Sequence, residues 1–188
     1  MRLPVLAAAL LLTASPVAAQ IAVSANDGKV KLVNGAVQTV KDGKDTISLI
    51  DLRTNPPKLM SEIEVPASVV GPPTSVAVSP NEQIALVTAA DMIDPADGTK
   101  RIANDKVTVI DLSVAKPGLL DRAKQLVGKA AAATPATPPK ILATLTSGKG
   151  AAGVTFNKAG TLALVANRGE GTVSVFTVSG TTLTAAGK

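Results

Sequence analysis

The stretch Leu162-Ala-Leu-Val-Ala-Asn167, followed after a short turn by Gly171-Thr-Val-Ser-Val175, decides the fold of this chain. The first segment is rich in Leu and Val and ends at Asn167, and the second begins at Gly171 and is rich in Val and Thr, which is typical of short strands bounded by turns. The first segment recurs as Ile84-Ala-Leu-Val-Thr88 and more weakly as Ile21-Ala-Val-Ser24. The chain therefore contains an internal repeat that is built from short strands.

Each repeat contains four strands, which we name A, B, C and D in chain order. The quoted segments are strands B and C of the last repeat. The other segments are strand A at 75–81 and 153–159, strand C at 47–52 and 107–112, and strand D at 56–59 and 138–141. Once the loop insertions are subtracted, the repeat has a period of 44 residues. Four strands in about 40 to 50 residues is the length of a β-propeller blade.

These motifs resemble the YVTN repeat family. In that repeat a strand ending in a V-x-N-like sequence leads through a short loop into a strand that often ends I-D, as at Asp51 and Asp111, whereas Thr177 stands there in the last unit. The resemblance covers nearly all of the chain beyond residue 19 and implies a propeller fold. It says little about activity, because the family includes lactonase-like propellers, surface-layer proteins and propellers of periplasmic redox systems.

We therefore predict an all-β fold of antiparallel four-stranded propeller blades in residues 20–188. The predicted units are blade 1 (strands B to D, about 20–66), blade 2 (about 72–146, with an amphipathic helix inserted at 116–133) and blade 3 (about 151–188). This is under three blades, whereas a closed propeller needs about four to eight. We expect a fragment of a longer propeller, with closure by oligomerisation as the alternative.

The first 19 residues have the pattern of a cleavable signal peptide. Arg2 precedes an apolar run from Val5 to Leu12, and Val17-Ala-Ala19 places small residues where a signal peptidase cuts, between Ala19 and Gln20. The apolar run is shorter than the roughly 20 residues of a membrane-spanning helix. We expect a periplasmic or extracellular protein with no stable membrane span.

The composition excludes several kinds of chemistry. The sequence has no Cys and no His, which removes disulfides, thiolate nucleophiles and the usual general base and metal ligand. No cofactor is predicted. The net charge of +5 is spread along the chain without a dense basic run beside aromatic residues, so nucleic-acid binding is not expected.

Loops from several blades converge at one end of a propeller, where the B–C and D–A connections meet, so we expect any ligand site there. The candidate ligand-binding residues at this end are Asp27, Asp91, Asn104, Lys149 and Asn167. Asp91, Asp94 and Asp97 are also candidates for a cation site, since hard cations prefer oxygen ligands. Their spacing is not that of an EF-hand, and ordinary turn formation is the favoured interpretation.

Arg168 and Glu170 are the candidates for catalysis, because the family resemblance implies lactone hydrolysis as the leading enzymatic hypothesis. An Arg at that turn would stabilise an oxyanion or bind an anionic ligand. A surface ion pair that closes the turn is the simpler interpretation. Three functions remain open: a non-catalytic propeller that binds a ligand or protein partner, a lactonase-like hydrolase, and a structural cell-surface propeller. Self-association through open blade edges is a further option.

Overall fold

The computed structural model describes residues 21–68, 74–113 and 138–188, and within these ranges the chain is built from β-strands. The predicted signal peptide (1–19) and the predicted helix (116–133) lie outside the described residues. The strands are β1 Ile21–Asn26, β2 Val30–Val33, β3 Ala36–Thr39, β4 Thr46–Asp51, β5 Lys58–Glu64, β6 Val76–Val78, β7 Ile84–Asp94, β8 Asp97–Asp111, β9 Lys140–Thr146, β10 Ala151–Phe156, β11 Leu162–Asn167, β12 Thr172–Ser179 and β13 Thr182–Gly187. No helix in the described ranges is long and apolar enough to cross a membrane.

Three antiparallel sheets form the blades. The strand orders are β1-β4-β5 in blade 1, β6-β7-β8-β9 in blade 2 and β10-β11-β12-β13 in blade 3, while β2 and β3 pair as a separate hairpin. Neighbours in each blade are consecutive repeat strands, so blades 2 and 3 run A-B-C-D and blade 1 shows B-C-D. The predicted all-β fold of partial propeller blades is confirmed.

The pairing register shows which residues of the blades are equivalent. Ile21 lies opposite Asp51, Ile84 opposite Asp111, and Leu162 opposite Thr177. These three pairs all place the start of strand B against the I-D position of strand C. Counting along strand B from this anchor makes Asn26, Ala89 and Asn167 equivalent.

The hydrophobic core lies in two layers between the blades. Ala85, Val87 and Ile110 of blade 2 pack with Ile47 and Leu49 of blade 1. The alternate residues of blade 2 point the other way, into a layer shared with blade 3 that contains Ile84, Leu86, Val107, Val109, Ala163, Val165 and Phe176. Because blade 2 is covered on both faces, its strand B reads as a continuous apolar run rather than an alternating one.

The prediction that strands B and C are joined by loops is wrong in blade 2. There β7 and β8 continue past the sheet as a long hairpin, with Met92 opposite Ile102 and Asp94 opposite Asp97 at its tip. Asp91, Asp94, Asp97 and Asn104 therefore lie on strands rather than in a loop. The physical reason is that regular pairing satisfies the backbone N–H and C=O groups of an insertion that would otherwise need other partners.

The B–C connection of blade 1 also contains a hairpin that the prediction missed. Strands β2 and β3 pair from Val30–Thr39 to Val33–Ala36. Between them Asn34 and Gly35 both have positive φ angles, 50° and 80°. Asn-Gly at a two-residue turn is a strong short-range hairpin signal, because both residues tolerate the left-handed conformation that a type I′ turn requires.

Candidate functional site

The candidate site lies at the end of the blades where strand B leads into strand C and strand D leads into the next strand A. This loop end consists of 26–45 in blade 1, 89–106 in blade 2, the connection 147–150 from blade 2 to blade 3, and the turn 167–171 of blade 3. The connection 147–150 contacts both blades, because Gly150 N–H donates to the Asn104 carbonyl of the blade 2 hairpin at 2.8 Å and Gly148 N–H donates to Asn167 Oδ1 of blade 3 at 2.9 Å. Segments from the different blades therefore come together at this end.

A buried lysine organises the blade 1 part of the loop end. Lys29 Nζ lies 3.0 Å from Asp27 Oδ1 and 2.7 Å from Asp45 Oδ2, and it also donates to the Ala67 carbonyl. The Lys29 and Asp27 side chains are only 5% and 1% exposed. Asp45 further accepts the Gly28 and Ala67 N–H groups. We call Lys29, Asp27, Asp45 and Ala67 the lysine cluster.

Two glycines allow the backbone to fold around this cluster. Gly28 and Gly43 lie against each other, and a Cβ at Gly28 would overlap the Lys44 backbone while a Cβ at Gly43 would overlap the Gly28 carbonyl. The two stems of the connection therefore approach more closely than residues with side chains permit. This contact brings Asp45 within reach of Lys29.

Asp91 joins the lysine cluster from the blade 2 hairpin. Its Oδ2 accepts a hydrogen bond of 2.8 Å from Arg101, while its buried Oδ1 lies 4.0 Å from Lys29 Nζ without a hydrogen-bond partner among the described residues. Burial raises the pKa of the Asp91 carboxyl, against the opposing effect of Arg101 and Lys29. The chain thus holds three carboxylates and two cations together across two blades.

Asp94 and Asp97 do not face this cluster. Asp94 Oδ1 accepts the Ala96 N–H at the hairpin tip, and Asp97 accepts the Thr99 N–H and its hydroxyl and pairs with Lys100. The Lys100 ammonium lowers the pKa of Asp97. Among the residues that the structure describes, no group of three or more acidic side chains is arranged to hold a metal ion. Asp94 and Asp97 therefore do not join Asp91 in a common cation site.

Asn167 organises the blade 3 part of the loop end. Its amide nitrogen donates to the hydroxyls of Thr172 and Ser174, and its Oδ1 accepts the Gly148 N–H at 2.9 Å. The side chain is almost fully buried, 1% exposed. Asn26 of blade 1 makes the same donations to Thr46 and Ser48. This asparagine therefore fastens the end of strand B to strand C.

Blade 2 lacks this asparagine, and the structure shows the consequence. Ala89 occupies the equivalent position, and the Thr108 hydroxyl, which corresponds to Ser48 and Ser174, is buried without a hydrogen-bond partner. In blade 2 the end of strand B is instead held to strand C by the hairpin extension, because Ala89 pairs with Lys106 within the continuing sheet.

Glu170 closes the blade 3 turn. Its carboxylate accepts hydrogen bonds from Lys188 Nζ, the Lys149 N–H and the Thr172 hydroxyl. The hydrogen bond from Lys188, followed by the one from the Lys149 backbone, lowers the pKa of Glu170 to about 2. The predicted Arg168–Glu170 ion pair is not formed, because Lys188 is the cation that pairs with Glu170. Sequence reasoning missed this contact because Lys188 is 18 positions away.

The exposed charges that remain at this turn are basic. Arg168 and Lys149 are exposed and adjacent, since Arg168 N–H donates to the Gly150 carbonyl and Gly169 N–H donates to the Lys149 carbonyl. Neither side chain forms an ion pair with the described residues. The five candidate binding residues thus fall into two groups: Asp27 and Asp91 meet at Lys29, while Asn104, Lys149 and Asn167 meet at the blade 3 turns. Lys29 was not predicted as a site residue, because nothing in its local sequence indicates burial.

Comparisons with known proteins place no family name on the chain. No protein-family model and no curated protein sequence matches it. Among solved structures it is similar to a candidate 6-phosphogluconolactonase from Bacteroides fragilis (13% identity, TM-score 0.49, 87% of this chain) and to hydrazine synthase of Kuenenia stuttgartiensis (15% identity, TM-score 0.46, 84% of this chain). The chain spans 36% and 46% of the lengths of these two proteins.

Proposed function

We propose that this chain is part of a secreted β-propeller that serves as a non-catalytic binding scaffold, and that its loop end binds an anionic ligand or an acidic segment of a partner. The observation that carries this proposal is the division of charges at the loop end. At the turns 147–150 and 167–171 the one carboxylate, that of Glu170, is held by Lys188, the Lys149 N–H and Thr172, whereas Arg168 and Lys149 are exposed and form no ion pair with the described residues.

A hydrolase needs an acid, base or nucleophile that is available to the substrate. Asp27 and Asp45 are bound to Lys29, and the Glu170 carboxylate accepts three hydrogen bonds and has a pKa of about 2, well below the range of a general base at neutral pH. The chain also has no His or Cys. These features support binding over lactone hydrolysis.

The binding proposal is tested with a fluorescently labelled glutamate-rich peptide and fluorescence anisotropy at low salt. We expect saturable binding to the purified protein, weakened at least tenfold in the Arg168→Ala, Lys149→Ala double variant. Lys158→Ala is the matched control, because Lys158 is exposed on the same blade but lies in the turn between β10 and β11, at the opposite end of strand β11. Equal weakening by the Lys158 variant, or no binding at all, would contradict the proposal.

The enzymatic alternative has its own test. We expect the purified protein not to hydrolyse simple sugar lactones such as glucono-δ-lactone above the rate of the buffer. Turnover that is abolished by Arg168→Ala or Glu170→Ala would establish a lactonase-like hydrolase instead.

A further inference from the structure

The strongest unassigned feature is the outer part of the β7–β8 hairpin, which has one covered side and one open side. Asp91 and Arg101 lie on the side that faces blade 1, where Asp91 approaches Lys29. Met92 lies opposite Ile102, each one position along its strand from Asp91 or Arg101, so both point away from blade 1. This open side faces blade 3, because blade 2 packs between blades 1 and 3. We call Met92 and Ile102 the apolar pair.

The apolar pair is exposed although a blade of the same chain lies on its side. Met92 is 36% and Ile102 is 41% exposed, and neither belongs to the two core clusters. The reason is a difference in the B–C connections, since blade 3 has only the short turn 167–171 where blade 2 has the long hairpin. The hairpin therefore extends beyond blade 3 and leaves a recess beside it. Both boundaries of this recess are described segments of this chain.

The floor of the recess is formed by the connection that enters blade 3 and by the blade 3 turn. Gly150 N–H donates to the Asn104 carbonyl, and the Gly150 carbonyl accepts the Arg168 N–H, both at 2.8 Å. Gly150 has a φ angle of 69°, and a Cβ there would lie 2.7 Å from the Gly169 nitrogen, so the two segments pack more closely than larger residues permit. The exposed side chains of Arg168 and Lys149 therefore stand on a closely packed floor.

The unpaired charge at the recess is basic. Three carboxylates of these segments, those of Asp97, Asp105 and Glu170, each pair with a lysine. Arg168 and Lys149 form no ion pair with the described residues. The recess thus combines an apolar wall with two exposed cations on its floor.

The spacing of these groups suits an extended chain segment. Ile102 is two strand residues from Asn104, a rise of about 7 Å. The two hydrogen bonds from Asn104 through Gly150 to Arg168 set three backbone segments side by side, at about 4.8 Å for each step. The backbones of Ile102 and Arg168 are therefore on the order of 15 Å apart, a distance that an extended peptide covers in about four or five residues.

We propose that this recess binds an extended acidic segment of a partner protein that also carries a large apolar side chain. The carboxylates of the segment lie at Arg168 and Lys149, and its apolar side chain packs on the apolar pair. Met suits this role because its flexible side chain adapts to different partner groups, and Met and Arg are both enriched at protein interfaces. This inference rests on the proposed anion binding at the loop end and adds the class of ligand to it.

The first test compares two fluorescently labelled peptides by anisotropy. One is an acidic peptide with a leucine about four residues from its glutamates, and the other has serine in place of that leucine. We expect the purified protein to bind the leucine peptide at least tenfold more tightly, because the leucine side chain leaves water on the apolar pair. The Met92→Thr, Ile102→Thr double variant should bind both peptides equally, and Thr is chosen because strands accept it well.

The Leu32→Thr, Val37→Thr double variant is the matched control. Leu32 and Val37 face each other in the same way on the β2–β3 hairpin of blade 1 and are 73% and 59% exposed. This control should keep the preference for the leucine peptide. Loss of the preference in the control, or equal binding of both peptides by the wild type, would overturn this inference and leave the proposed anion binding standing. Failure of both peptides to bind would overturn the proposed function as well.

The second test uses the protein without any substitution. When a photoactivatable leucine replaces the leucine of the peptide, irradiation should attach the peptide within residues 91–103, as located by mass spectrometry of a digest. Adducts mainly on other segments would contradict the proposed contact with the apolar pair. Displacement of the leucine peptide by an equal concentration of octanoate would show that the recess recognises a small apolar anion rather than a chain segment.

Discussion

The lysine cluster and the Glu170 turn perform the same task in different surroundings. In each, one charged side chain with three partners holds a connecting segment in place: Lys29 in blade 1 and Glu170 in blade 3. Lys29 is almost completely buried, whereas Glu170 is exposed. The comparison shows that two charged groups with the same number of partners need not contribute equally to the free energy of unfolding. A buried charge that loses its partner has no water to replace it, whereas an exposed one does.

The largest effect should follow from removing the buried lysine. Lys29→Met leaves Asp27 and Asp45 buried beside one another without their cation, and we expect the free energy of unfolding to fall by about 3–5 kcal/mol. Urea denaturation followed by circular dichroism measures this loss.

The control for this substitution is Lys44→Met. Lys44 pairs with Glu64 in the same blade, but both side chains are more than half exposed. An exposed pair contributes about 0–1 kcal/mol, so this variant should unfold close to the wild type. Equal losses in the two lysine variants would break the comparison between buried and exposed charges.

Removal of a neutral buried side chain, that of Asn167, should cause the next largest loss of stability. Asn167→Ala removes the acceptor of the Gly148 N–H and the donor to Thr172 and Ser174, and we expect a loss of about 1–3 kcal/mol in urea denaturation. Asn26→Ala should cost less, because Asn26 is only partly buried. A larger loss of stability in Asn26→Ala than in Asn167→Ala would show that burial does not determine the contributions of the two asparagines.

Substitution of Asp91 should change the stability of the fold in the opposite direction from substitution of Lys29. Burial raises its pKa, so ionisation of Asp91 costs the folded state stability; this cost begins as the pH rises above about 3.8 and is complete above the raised pKa. We therefore expect Asp91→Asn to leave the unfolding midpoint unchanged or higher at pH 7. The difference from the wild type should vanish below about pH 3.8, the ordinary pKa of Asp, where the carboxyl is protonated in both states. A clearly lower midpoint at pH 7 would show that the Arg101 contact outweighs burial.

The smallest effect should come from Glu170. Its pKa is lowered from 4.5 to about 2, so its stabilising contribution is present above pH 4.5 and is lost as the pH falls through about 2. Glu170→Gln should lower the thermal midpoint slightly at pH 7, and this difference should shrink as the pH falls and disappear below about pH 2. A loss at pH 7 as large as that of Asn167→Ala would contradict the weak role of an exposed ion pair.

The strand content of the fold was predictable because it depends on local patterning. The Val, Ile and Thr segments bounded by Gly, Pro or Asn became strands, and the repeat spacing placed them in the order A-B-C-D. The Asn34-Gly35 hairpin was also predictable from the sequence, since that dipeptide is a strong signal for a two-residue turn. The extended β7–β8 hairpin had no comparable signal.

The sequence by itself determined the all-β blades and brought most of the candidate residues to one end of them, because strand direction and turn position follow from local sequence. Only the tertiary structure decided which charges are buried and with whom they pair. Lys29 and Lys149 both stand beside glycines in the sequence, yet one is enclosed by Asp27, Asp45 and Ala67 and the other is exposed. Burial depends on contacts between segments far apart along the chain, such as 29 with 67 and 91. Local sequence does not encode such contacts.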